Sequence, residues 1–403
     1  MKILEQDFVP LLFGNDINSY SMARAFHEAY GVRSIVVGKY LSGPNVNSSI
    51  IDFRAIENID EDAIFISTVN TFAEEKKGKK ILVIGCGDNY ISLISKNKPK
   101  FASNVVAPYI DFAFLNALIR KEKFYEICRQ YEIPYPKTFI YRKELGNTFD
   151  LDFPFPVITK PSNSVEYWNF PFASQKKVYK ADTRDELVKI LGDISTAGYK
   201  DSMVIQDFIP GDDTYMRVLT CYSDMQGKVQ RMALGHVLLE EHTPHGLGNH
   251  AVIINDYDET LMSSVKTFLE KIQFKGFSNF DIKYDTRDGV YKIFEINVRQ
   301  GRSNFYVTGA GDNIAQVVVE DAVYGRPLTF KNTTEKHLWL VVPFLVALIY
   351  VRSRKLRFEM LGLFLKGKMV NPLWYTGDYS WKRNKYLWKS HFSHFFKYFK
   401  YYR

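Results

Sequence analysis

Two runs in which apolar and polar residues alternate, separated by a short polar segment, constrain the fold most strongly. Both runs lie within residues 278–299, and they flank the segment from Thr286 to Gly289. Alternation with a period of two is typical of strands with one buried face, and a short polar segment between two such runs is typical of a turn. The pattern therefore predicts a β-hairpin.

The predicted hairpin carries two carboxylates and an amide on one face. Asp281 and Glu295 are equally distant from Asp288, so a loop of three or five residues centred there would place the carboxylates opposite each other. Asn297 follows two residues after Glu295 and shares its face. Oxygen ligands of this kind suit Mg²⁺, which also binds waters and phosphate oxygens. A solvated face of an amphipathic hairpin explains the same residues equally well.

The first third of the chain alternates short apolar runs with helical patterns. Apolar runs such as 8–13 and 81–85 alternate with a helical pattern from Ser19 to Tyr30. Strands that alternate with helices predict a parallel sheet with crossover connections. Two glycine-containing segments follow these runs, Gly14-Asn-Asp and Gly85-Cys-Gly-Asp, and we interpret them either as strand-ending turns or as substrate contacts.

The next hundred residues have a different pattern. Their sequence predicts a helix from Phe112 to Tyr131, a strand at 156–161, a helix from Thr183 to Ala197 that opens with a capping box, and a strand that runs into a turn at Met203 to Gly211.

Two polar groups in this region have the chemistry of a nucleotide site. Lys160 ends a predicted strand as a point charge for phosphates, and the hydroxyl and backbone N–H groups of Ser162 and Ser164 follow it closely. Further along, the backbone of Gln206-Asp207-Phe208-Ile209 is predicted to form a strand edge that pairs with an adenine ring. An acidic residue after it, for which we choose Asp213, would bind ribose hydroxyls.

The basic character of the chain is confined to its C-terminal end. The chain has a formal net charge of +8, yet residues 331–403 contain 15 Lys and Arg against three acidic residues, a net charge of +12. Residues 1–330 therefore hold 38 basic and 42 acidic residues, a net charge of −4. Four of the five tryptophans also lie in the basic segment. The positive charge thus gives no reason to expect that the body binds nucleic acid.

Three observations favour a cytoplasmic location. Cys86, Cys128 and Cys221 are few and widely spaced, which favours reduced thiols. The N-terminal residues lack the pattern of a signal peptide. The longest apolar run, Leu338 to Val351, is shorter than the roughly 20 residues of a membrane-spanning helix.

The order of these features resembles the ATP-grasp superfamily of carboxylate–amine ligases. The resemblance covers about Phe112 to Gly325 and depends on Lys121, Lys160, the hinge from Gln206 to Gly211, Arg217, Asp281, Glu295, Asn297 and Arg299. It implies a mixed α/β and α+β fold: an N-terminal α/β pre-ATP-grasp domain at 1–111, an ATP-grasp domain at 112–330 with two lobes and a hinge near 206–211, and a basic, aromatic C-terminal extension at 331–403. We expect the extension to lie outside the resemblance.

Within that superfamily the sequence is similar to the D-aspartate ligases of Gram-positive bacteria. The shared motifs include Gly85-Cys-Gly-Asp, Lys160-Pro-Ser-Asn-Ser, Gln206-Asp-Phe-Ile-Pro-Gly and Glu295-Ile-Asn-Val-Arg-Gln-Gly-Arg-Ser. The resemblance implies an ADP-forming enzyme that uses ATP and Mg²⁺ to activate the β-carboxylate of D-aspartate as an acyl phosphate. The acceptor would be the ε-amine of the stem-peptide lysine in UDP-MurNAc-pentapeptide or a related peptidoglycan precursor.

The resemblance also implies roles for individual residues. The metal ligands would be Asp281, Glu295 and Asn297. The nucleotide would be bound by Lys121, Lys160, Ser162, Ser164, Gln206, Asp207, Phe208, Ile209 and Asp213. The γ-phosphate and the tetrahedral intermediate would be bound by Arg217 and Arg299, and a carboxylate of aspartate by Arg302. Lys123 lies two residues after Lys121 on one predicted helix, so only one of the two lysines can face the site.

Several of these residues have purely structural alternatives. Arg217 can be the cross-strand partner of an acidic residue, and the aspartates of the hinge can simply solubilise a turn. The histidines of Gly235 to His250 suggest a zinc site, a mobile loop over the amine substrate or an ordinary surface loop. Cys86 is read as a small packing residue rather than a nucleophile.

Two other functions remain open at this stage. The chain can be an ATP-grasp ligase for another pair of amino acid and amine, or a non-catalytic adaptor that is tethered to a membrane. For residues 338–403, peripheral attachment to the anionic inner face of the membrane competes with a role as a C-terminal packing subdomain. Nucleic-acid binding is not expected, because the basic residues are interleaved with apolar runs.

Overall fold

The protein is represented by a computed structural model that describes residues 6–244 and 246–402, apart from the side chains of Ser164 and Val165. The contacts divide the chain into two compact units. The first unit consists of Met1–Leu115, Asp213–Asn279 and Asn297–Arg403, and the second of Asn116–Asp212 and Phe280–Ile296. These units cut across the three domains expected from the sequence, whose boundaries at 111 and 330 stay a prediction.

The described residues form seventeen strands. They are β1 (Phe8–Phe13), β2 (Ser34–Gly38), β3 (Ile51–Ala55), β4 (Lys80–Gly85), β5 (Val105–Val106), β6 (Thr138–Tyr141), β7 (Val157–Pro161), β8 (Tyr179–Ala181), β9 (Met203–Asp207), β10 (Met216–Ser223), β11 (Val229–Glu240), β12 (His250–Asp256), β13 (Gly276–Asp285), β14 (Val290–Asn297), β15 (Lys331–Asn332), β16 (Leu338–Leu340) and β17 (Met369–Val370).

The same residues form thirteen α-helices. They are α1 (Ile17–Tyr30), α2 (Asp62–Glu75), α3 (Asp88–Asn97), α4 (Phe112–Ile119), α5 (Lys121–Gln130), α6 (Ser164–Tyr167), α7 (Arg184–Thr196), α8 (Glu259–Lys271), α9 (Phe305–Gly309), α10 (Ile314–Val318), α11 (Phe344–Tyr350), α12 (Arg354–Leu365) and α13 (Trp381–Tyr401).

The predicted parallel sheet is present in the first unit. Its five strands have the order β3-β2-β1-β4-β5, and every neighbouring pair is parallel. Phe13 pairs with Gly85, so the segments that follow β1 and β4 leave the sheet side by side. The chain reverses its direction of winding between these two strands, and ligands of open α/β sheets bind at such a point.

Two further sheets complete the fold. The second unit contains a four-stranded antiparallel sheet with the order β6-β9-β7-β8. A larger sheet has the order β14-β13-β10-β11-β12-β16-β17, with β15 paired to β11. The predicted hairpin is β13 and β14, joined by the four residues Thr286 to Gly289 rather than by three or five. Gly289 has a φ of 72°, which glycine adopts without strain.

Capping residues account for two of the helix boundaries. The Asp16 carboxylate accepts hydrogen bonds from the backbone of Asn18 and Ser19, so α1 begins two residues before the predicted position. The Thr183 hydroxyl accepts a hydrogen bond from the backbone of Glu186, as the capping-box pattern predicts for α7.

The single helix predicted from Phe112 to Tyr131 is wrong, because the chain forms α4 and α5 with a break at Arg120. Arg120 has an extended backbone, with a ψ of 113°. The backbone N–H groups of Lys121 and Glu122 donate instead to the carbonyl and the hydroxyl of Ser162. Hydrogen bonds from outside the helix thus satisfy the first N–H groups of α5.

The C-terminal segment is an integral part of the first unit. Strand β16 pairs with β12, and Trp339 in β16 is fully buried. The predicted longest apolar run divides into this strand and α11, which begins after Pro343. In the part of the chain that the structure describes, no helix is both long and apolar enough to span a bilayer.

A buried ion pair fixes the start of α13 in the first unit. The Arg383 guanidinium lies 3.1 Å from the Asp378 carboxylate, and each side chain is 1% exposed. The carboxylate also accepts hydrogen bonds from Tyr20 at 2.9 Å and from Ser48 at 2.8 Å. The guanidinium donates to the backbone carbonyl of Pro44. Because both charges are fully buried, removal of either one would leave the other buried without a counter-charge.

Replacement of Arg383 by Met should strongly destabilise the fold, because it leaves the Asp378 carboxylate buried without its cation. We expect a loss of about 3–5 kcal/mol in the free energy of unfolding. Urea denaturation followed by circular dichroism measures it. The neighbouring exposed residue provides the control, and Lys382→Met should change stability by less than about 0.5 kcal/mol. Equal stability of the two variants would contradict the structural role of this ion pair.

Candidate active site

The second unit contains a buried cluster of charges formed by three of the residues predicted to bind nucleotide and metal. The Lys121 ammonium lies 3.2 Å from the Glu295 carboxylate. Lys160 is also buried, and its ammonium lies over the rings of Tyr125 at 5.9 Å and Phe294 at 5.5 Å. Cation–π contacts stabilise an ammonium group that has lost its water.

The local chain directions explain how these side chains meet. Lys121 is the first residue of α5, whose first turn is bound to Ser162, and Lys160 precedes Ser162 by two residues on β7. Glu295 lies on β14, and the Tyr125 hydroxyl of α5 donates to the backbone carbonyl of Phe294 at 2.5 Å. The backbone of α5 is therefore hydrogen-bonded to the segment that follows Lys160, and the Tyr125 side chain of α5 is hydrogen-bonded to the strand that carries Glu295.

The charges shift one another's pKa values. Burial lowers the pKa of Lys160 to about 7, the ammonium of Lys121 acts in the same direction, and Glu295 opposes the shift. Burial alone would raise the pKa of Glu295, but Lys121, Lys177 and Lys160 outweigh it and hold that pKa below its usual range. Lys177 gave no signal in the sequence, because a lysine in an exposed loop is ordinary.

The cluster suits a polyanion. Asp281 and Glu295 are the carboxylates whose charge raises the pKa of Lys160, and Lys121 and Lys177 are the cations that lower it. Three lysines and two carboxylates thus interact in this cluster, and of the lysines Lys177 is exposed. Ammonium groups bind phosphate oxygens well, and the two carboxylates would provide the oxygen ligands that Mg²⁺ prefers.

The other predicted nucleotide residues have structural partners. Gln206 lies on β9, which is hydrogen-bonded to β6 on one side and β7 on the other, so the prediction of a free strand edge at Gln206 and Asp207 is wrong. The chain leaves the sheet at Phe208. The Asp207 carboxylate accepts two hydrogen bonds from Arg287, at 3.1 and 2.7 Å. Ile209 is buried.

Of the two predicted serines, only Ser162 has a described side chain. Ser162 is fully buried, and its carbonyl and hydroxyl accept the hydrogen bonds that cap α5. The side chain of Ser164 lies outside the described part of the structure.

Each of the three predicted arginines has a carboxylate partner in the first unit. Arg299 lies 2.7 Å from Asp88, the first residue after the Gly85-Cys-Gly turn. Arg217 on β10 lies 3.0 Å from Asp256 on β12, which is separated from β10 by β11. The third pair is Arg302 and Glu241 at 3.2 Å.

Arg302 has a buried hydrogen-bond donor without a partner among the described residues. Its Nη2 atom binds Glu241, whereas its Nη1 atom is buried and has no hydrogen-bond partner among the described residues. A buried donor without a partner costs free energy, so a ligand anion at this atom would be stabilising.

A buried asparagine that the sequence did not single out fixes the loop carrying Arg299 and Arg302. The Asn18 amide donates to the carbonyls of Cys86 at 3.1 Å and Gln300 at 3.4 Å, and it accepts from Asn304 at 2.7 Å. These bonds join the start of α1, the Gly85-Cys-Gly turn and the loop after β14. The turn predicted to contact substrate therefore lies beside this arginine loop.

The histidine-rich segment does not assemble a zinc site from its described residues. His236 contacts the carbonyl of Thr214, and His242 contacts Asp213 at 2.9 Å. His250 lies near Ser303, while His245 is outside the described residues. Among described residues, no group of three or more His, Cys, Asp and Glu side chains can hold a metal ion. The two carboxylates and the amide proposed for Mg²⁺ are a different kind of site.

Asp213 and Asn297 complete the predicted set. The Asp213 carboxylate accepts hydrogen bonds from His242 and from the backbone of Glu240 at 2.9 Å. Asn297 follows Glu295 by two residues on β14, so both side chains lie on one face of the strand. The Asn297 amide donates to the carbonyl of Asn279 at 3.4 Å.

Comparison with known proteins decides the family. No family model matches the sequence. The chain is, however, 44% identical over 395 residues to the D-aspartate ligase of Enterococcus faecium (strain Aus0004), and the match covers 94% of this chain and 93% of that one. The chain belongs to the D-aspartate ligase family. Because the unmatched 6% is shorter than residues 331–403, the prediction that the C-terminal extension lies outside the family resemblance is wrong.

Solved structures support the fold of this D-aspartate ligase family member. An L-amino acid ligase from Bacillus licheniformis matches with a TM-score of 0.59 and 16% identity, over 81% of this chain and 76% of its own. The biotin carboxylase domain of 2-oxoglutarate carboxylase from Hydrogenobacter thermophilus, solved with MgADP, ADP and bicarbonate, matches with a TM-score of 0.61 and 12% identity, over 83% and 73%. At 12–16% sequence identity, this structural similarity shows the fold alone.

The family and the fold together confirm the main predictions from the sequence. The protein is a member of the D-aspartate ligase family with a mixed α/β fold like that of these solved structures. Two of the similar structures, an N5-carboxyaminoimidazole ribonucleotide synthetase and the biotin carboxylase domain, were solved with ADP or MgADP, which agrees with the predicted use of ATP and Mg²⁺. The alternative of a non-catalytic adaptor is therefore not supported. The roles of the individual site residues stay predictions.

The two lysines of α5 offer a matched test of the phosphate site. Lys121 is buried beside Glu295, whereas Lys123 is exposed and pairs with Glu126 at 2.9 Å. We expect Lys121→Met to lower kcat/KM for ATP by about 10- to 100-fold, because one charge-assisted contact contributes about 1.5–3 kcal/mol. Lys123→Met should leave it unchanged. Steady-state ADP release measures both, and similar effects of the two substitutions would show that Lys121 does not bind phosphate.

Proposed function

We propose that this enzyme joins the β-carboxylate of D-aspartate to the ε-amine of the stem-peptide lysine in a peptidoglycan precursor, UDP-MurNAc-pentapeptide or a related molecule. The donor follows from the name of the 44% identical relative. The observation that carries the proposal is the cluster of Lys121, Lys160 and Glu295, in which two lysines suited to phosphate oxygens lie with a carboxylate suited to Mg²⁺.

The reaction needs activation of a carboxylate. An amine does not displace oxide from a carboxylate at neutral pH, and ATP supplies the phosphoryl group that turns this oxygen into a leaving group. The enzyme's task is to hold the reactants together and to balance the charge of the phosphates. Lys121 and Lys160 would bind phosphate oxygens. Asp281, Glu295 and Asn297 would hold one or two Mg²⁺ ions through their oxygen atoms.

The remaining proposed contacts with the nucleotide lie in and directly after the hinge at 206–211. In our proposal the backbone from Phe208 onwards, where the chain leaves the sheet, binds the adenine ring, and Ile209 forms part of its apolar surroundings. Gln206 and Asp207 support this segment from within β9 and through Arg287. We assign Asp213 to the ribose hydroxyls, in exchange for its present contact with His242.

The arginines would bind the reacting groups. We assign Arg302 to a carboxylate of D-aspartate, because its Nη1 atom is a buried donor without a partner. Arg217 and Arg299 are assigned to the γ-phosphate and the tetrahedral intermediate, where a guanidinium can bind two oxygens at once. Their pairing with Asp256 and Asp88 would fix the orientation of the guanidinium groups in the absence of substrate.

The cysteines and the C-terminal residues bear on where the enzyme works in the cell. We propose that the enzyme works in the cytoplasm, where its three buried free cysteines stay reduced. We also propose a peripheral contact with the inner face of the membrane through residues 338–403.

A screen of phosphate release across D- and L-amino acids, with UDP-MurNAc-pentapeptide as acceptor, tests the substrate. We expect release only when ATP, Mg²⁺, D-aspartate and the acceptor are all present. Omission of each component in turn provides the control. An equal rate with L-aspartate would contradict the D-aspartate assignment and leave the ligase class intact.

Replacement of Glu295 by Gln tests the metal site, because it keeps the shape of the side chain and removes the charge. Turnover should fall below detection at any Mg²⁺ concentration. The control is Glu126→Gln at an exposed position of α5, which should keep full activity. A Glu295→Gln enzyme with normal turnover would show that Mg²⁺ is held elsewhere.

A further inference from the structure

Helix α13 packs on the first unit through one face. Its buried residues are Arg383, Leu387, His394 and Tyr398, at spacings of four, seven and four. These spacings place all four side chains on one side of the helix. The Tyr398 hydroxyl donates to the carbonyl of Glu240 at 2.7 Å. This side of α13 therefore packs against the rest of the first unit.

The opposite side of α13 is aromatic and exposed. Trp381, Trp388, Phe392 and Phe399 follow one another at spacings of seven, four and seven, so they lie on one side of the helix and away from the buried residues. Together with Phe396 they form what we call the aromatic face. The exposed fractions of its five side chains range from 51% to 85%. A helix with one buried side is expected to be polar on the other, so this surface needs an explanation.

The aromatic face is bordered by positive charge. Helix α13 contains five lysines and no acidic residue, at positions Lys382, Lys385, Lys389, Lys397 and Lys400. All five are exposed. Long lysine side chains can lie along an apolar surface while their ammonium groups reach outwards to anions.

Two adjacent helices continue this combination of apolar and basic residues. The rings of Phe344 in α11 and Phe364 in α12 are stacked 4.6 Å apart, and Tyr350 in α11 packs on Tyr398 in α13. Helix α12 exposes Phe358 and Leu365 next to its own basic residues. The exposed apolar side chains thus belong to one packed group of helices rather than to isolated positions.

We infer that the aromatic face of α13 docks on a bilayer that contains anionic lipid. Tryptophan and phenylalanine insert between headgroups, and the bordering lysines bind the lipid phosphates. A second copy of this chain fits the surface less well, because pairing two such faces would bring lysines against lysines with no acidic residue on either helix. The inference gives the proposed peripheral contact a defined surface, and it does not depend on which amino acid the enzyme uses.

Vesicle flotation of the full-length protein without substrates tests the inference, so the result is independent of the proposed reaction. The vesicles contain phosphatidylcholine, either alone or with an equal amount of phosphatidylglycerol. We expect binding to the anionic vesicles only, and weaker binding as salt is added, because salt screens the lysines. The triple variant Trp388→Ala, Phe392→Ala and Phe399→Ala, and the double variant Lys385→Glu and Lys389→Glu, should each weaken binding at least about tenfold.

A matched control comes from the second unit. Trp168 is 49% exposed, close to the 51% of Trp388, and Trp168→Ala should bind vesicles like the unmodified protein. Thermal unfolding shows whether each variant is folded, and exposed positions should leave it nearly unchanged.

Two outcomes would overturn the inference. One is the absence of binding to anionic vesicles by the full-length protein, or unchanged binding by a folded triple variant. The other is a concentration-dependent dimer in sedimentation velocity that the triple substitution abolishes while no vesicle binding is seen, since the aromatic face would then be a contact between two copies.

Discussion

The charges of Lys121, Lys160 and Glu295 are the constraint on which the second unit depends. Burial of the two ammonium groups costs free energy, and the Glu295 carboxylate, 3.2 Å from Lys121, offsets part of this cost together with Asp281. The charged side chains are held together by hydrogen bonds from the backbone of α5 to Ser162 and from the Tyr125 hydroxyl to the carbonyl of Phe294 on β14. In the proposed function, a bound triphosphate would offset the remaining cost of burying the two lysines.

The first unit is organised around a different constraint, the meeting of two parallel strands at a point where the sheet reverses its winding. The turns after β1 and β4 leave the sheet side by side there, and Asn18 bonds one of them to the loop that carries Arg299 and Arg302. In the proposed reaction, rigidly placed guanidinium groups would hold the substrate carboxylate while phosphate is transferred to it. The arginines are already oriented by Asp88 and Glu241.

Much of this arrangement could be predicted from local sequence patterns. Alternation with a period of two located the hairpin of β13 and β14, the strand and helix alternation gave the parallel sheet, and Thr183 with Glu186 located the start of α7. In each case neighbours in sequence determine the structure. The family motifs added the fold and the class of reaction, which local patterns alone do not contain.

The predictions from the sequence were wrong where residues distant in the chain determine the local structure. The break between α4 and α5 depends on Ser162, some forty residues away, and the inner position of β9 depends on its pairing with both β6 and β7. The C-terminal segment looked separate because of its charge, yet β16 pairs with β12 and joins a sheet that contains strands from earlier in the chain. No sequence pattern indicated that Lys177 acts on Glu295, since that interaction exists only in the folded chain.

In the proposed reaction, a carboxylate oxygen of aspartate attacks the γ-phosphate of ATP before the amine attacks the carboxylate carbon. Aspartate labelled with ¹⁸O in its β-carboxylate tests this directly, with the released phosphate examined by ³¹P NMR. If an acyl phosphate forms, the oxygen that bridges carbon and phosphorus departs with the phosphate, so one ¹⁸O atom should appear in each phosphate released. Phosphate that carries no ¹⁸O while the amide product accumulates would contradict this account.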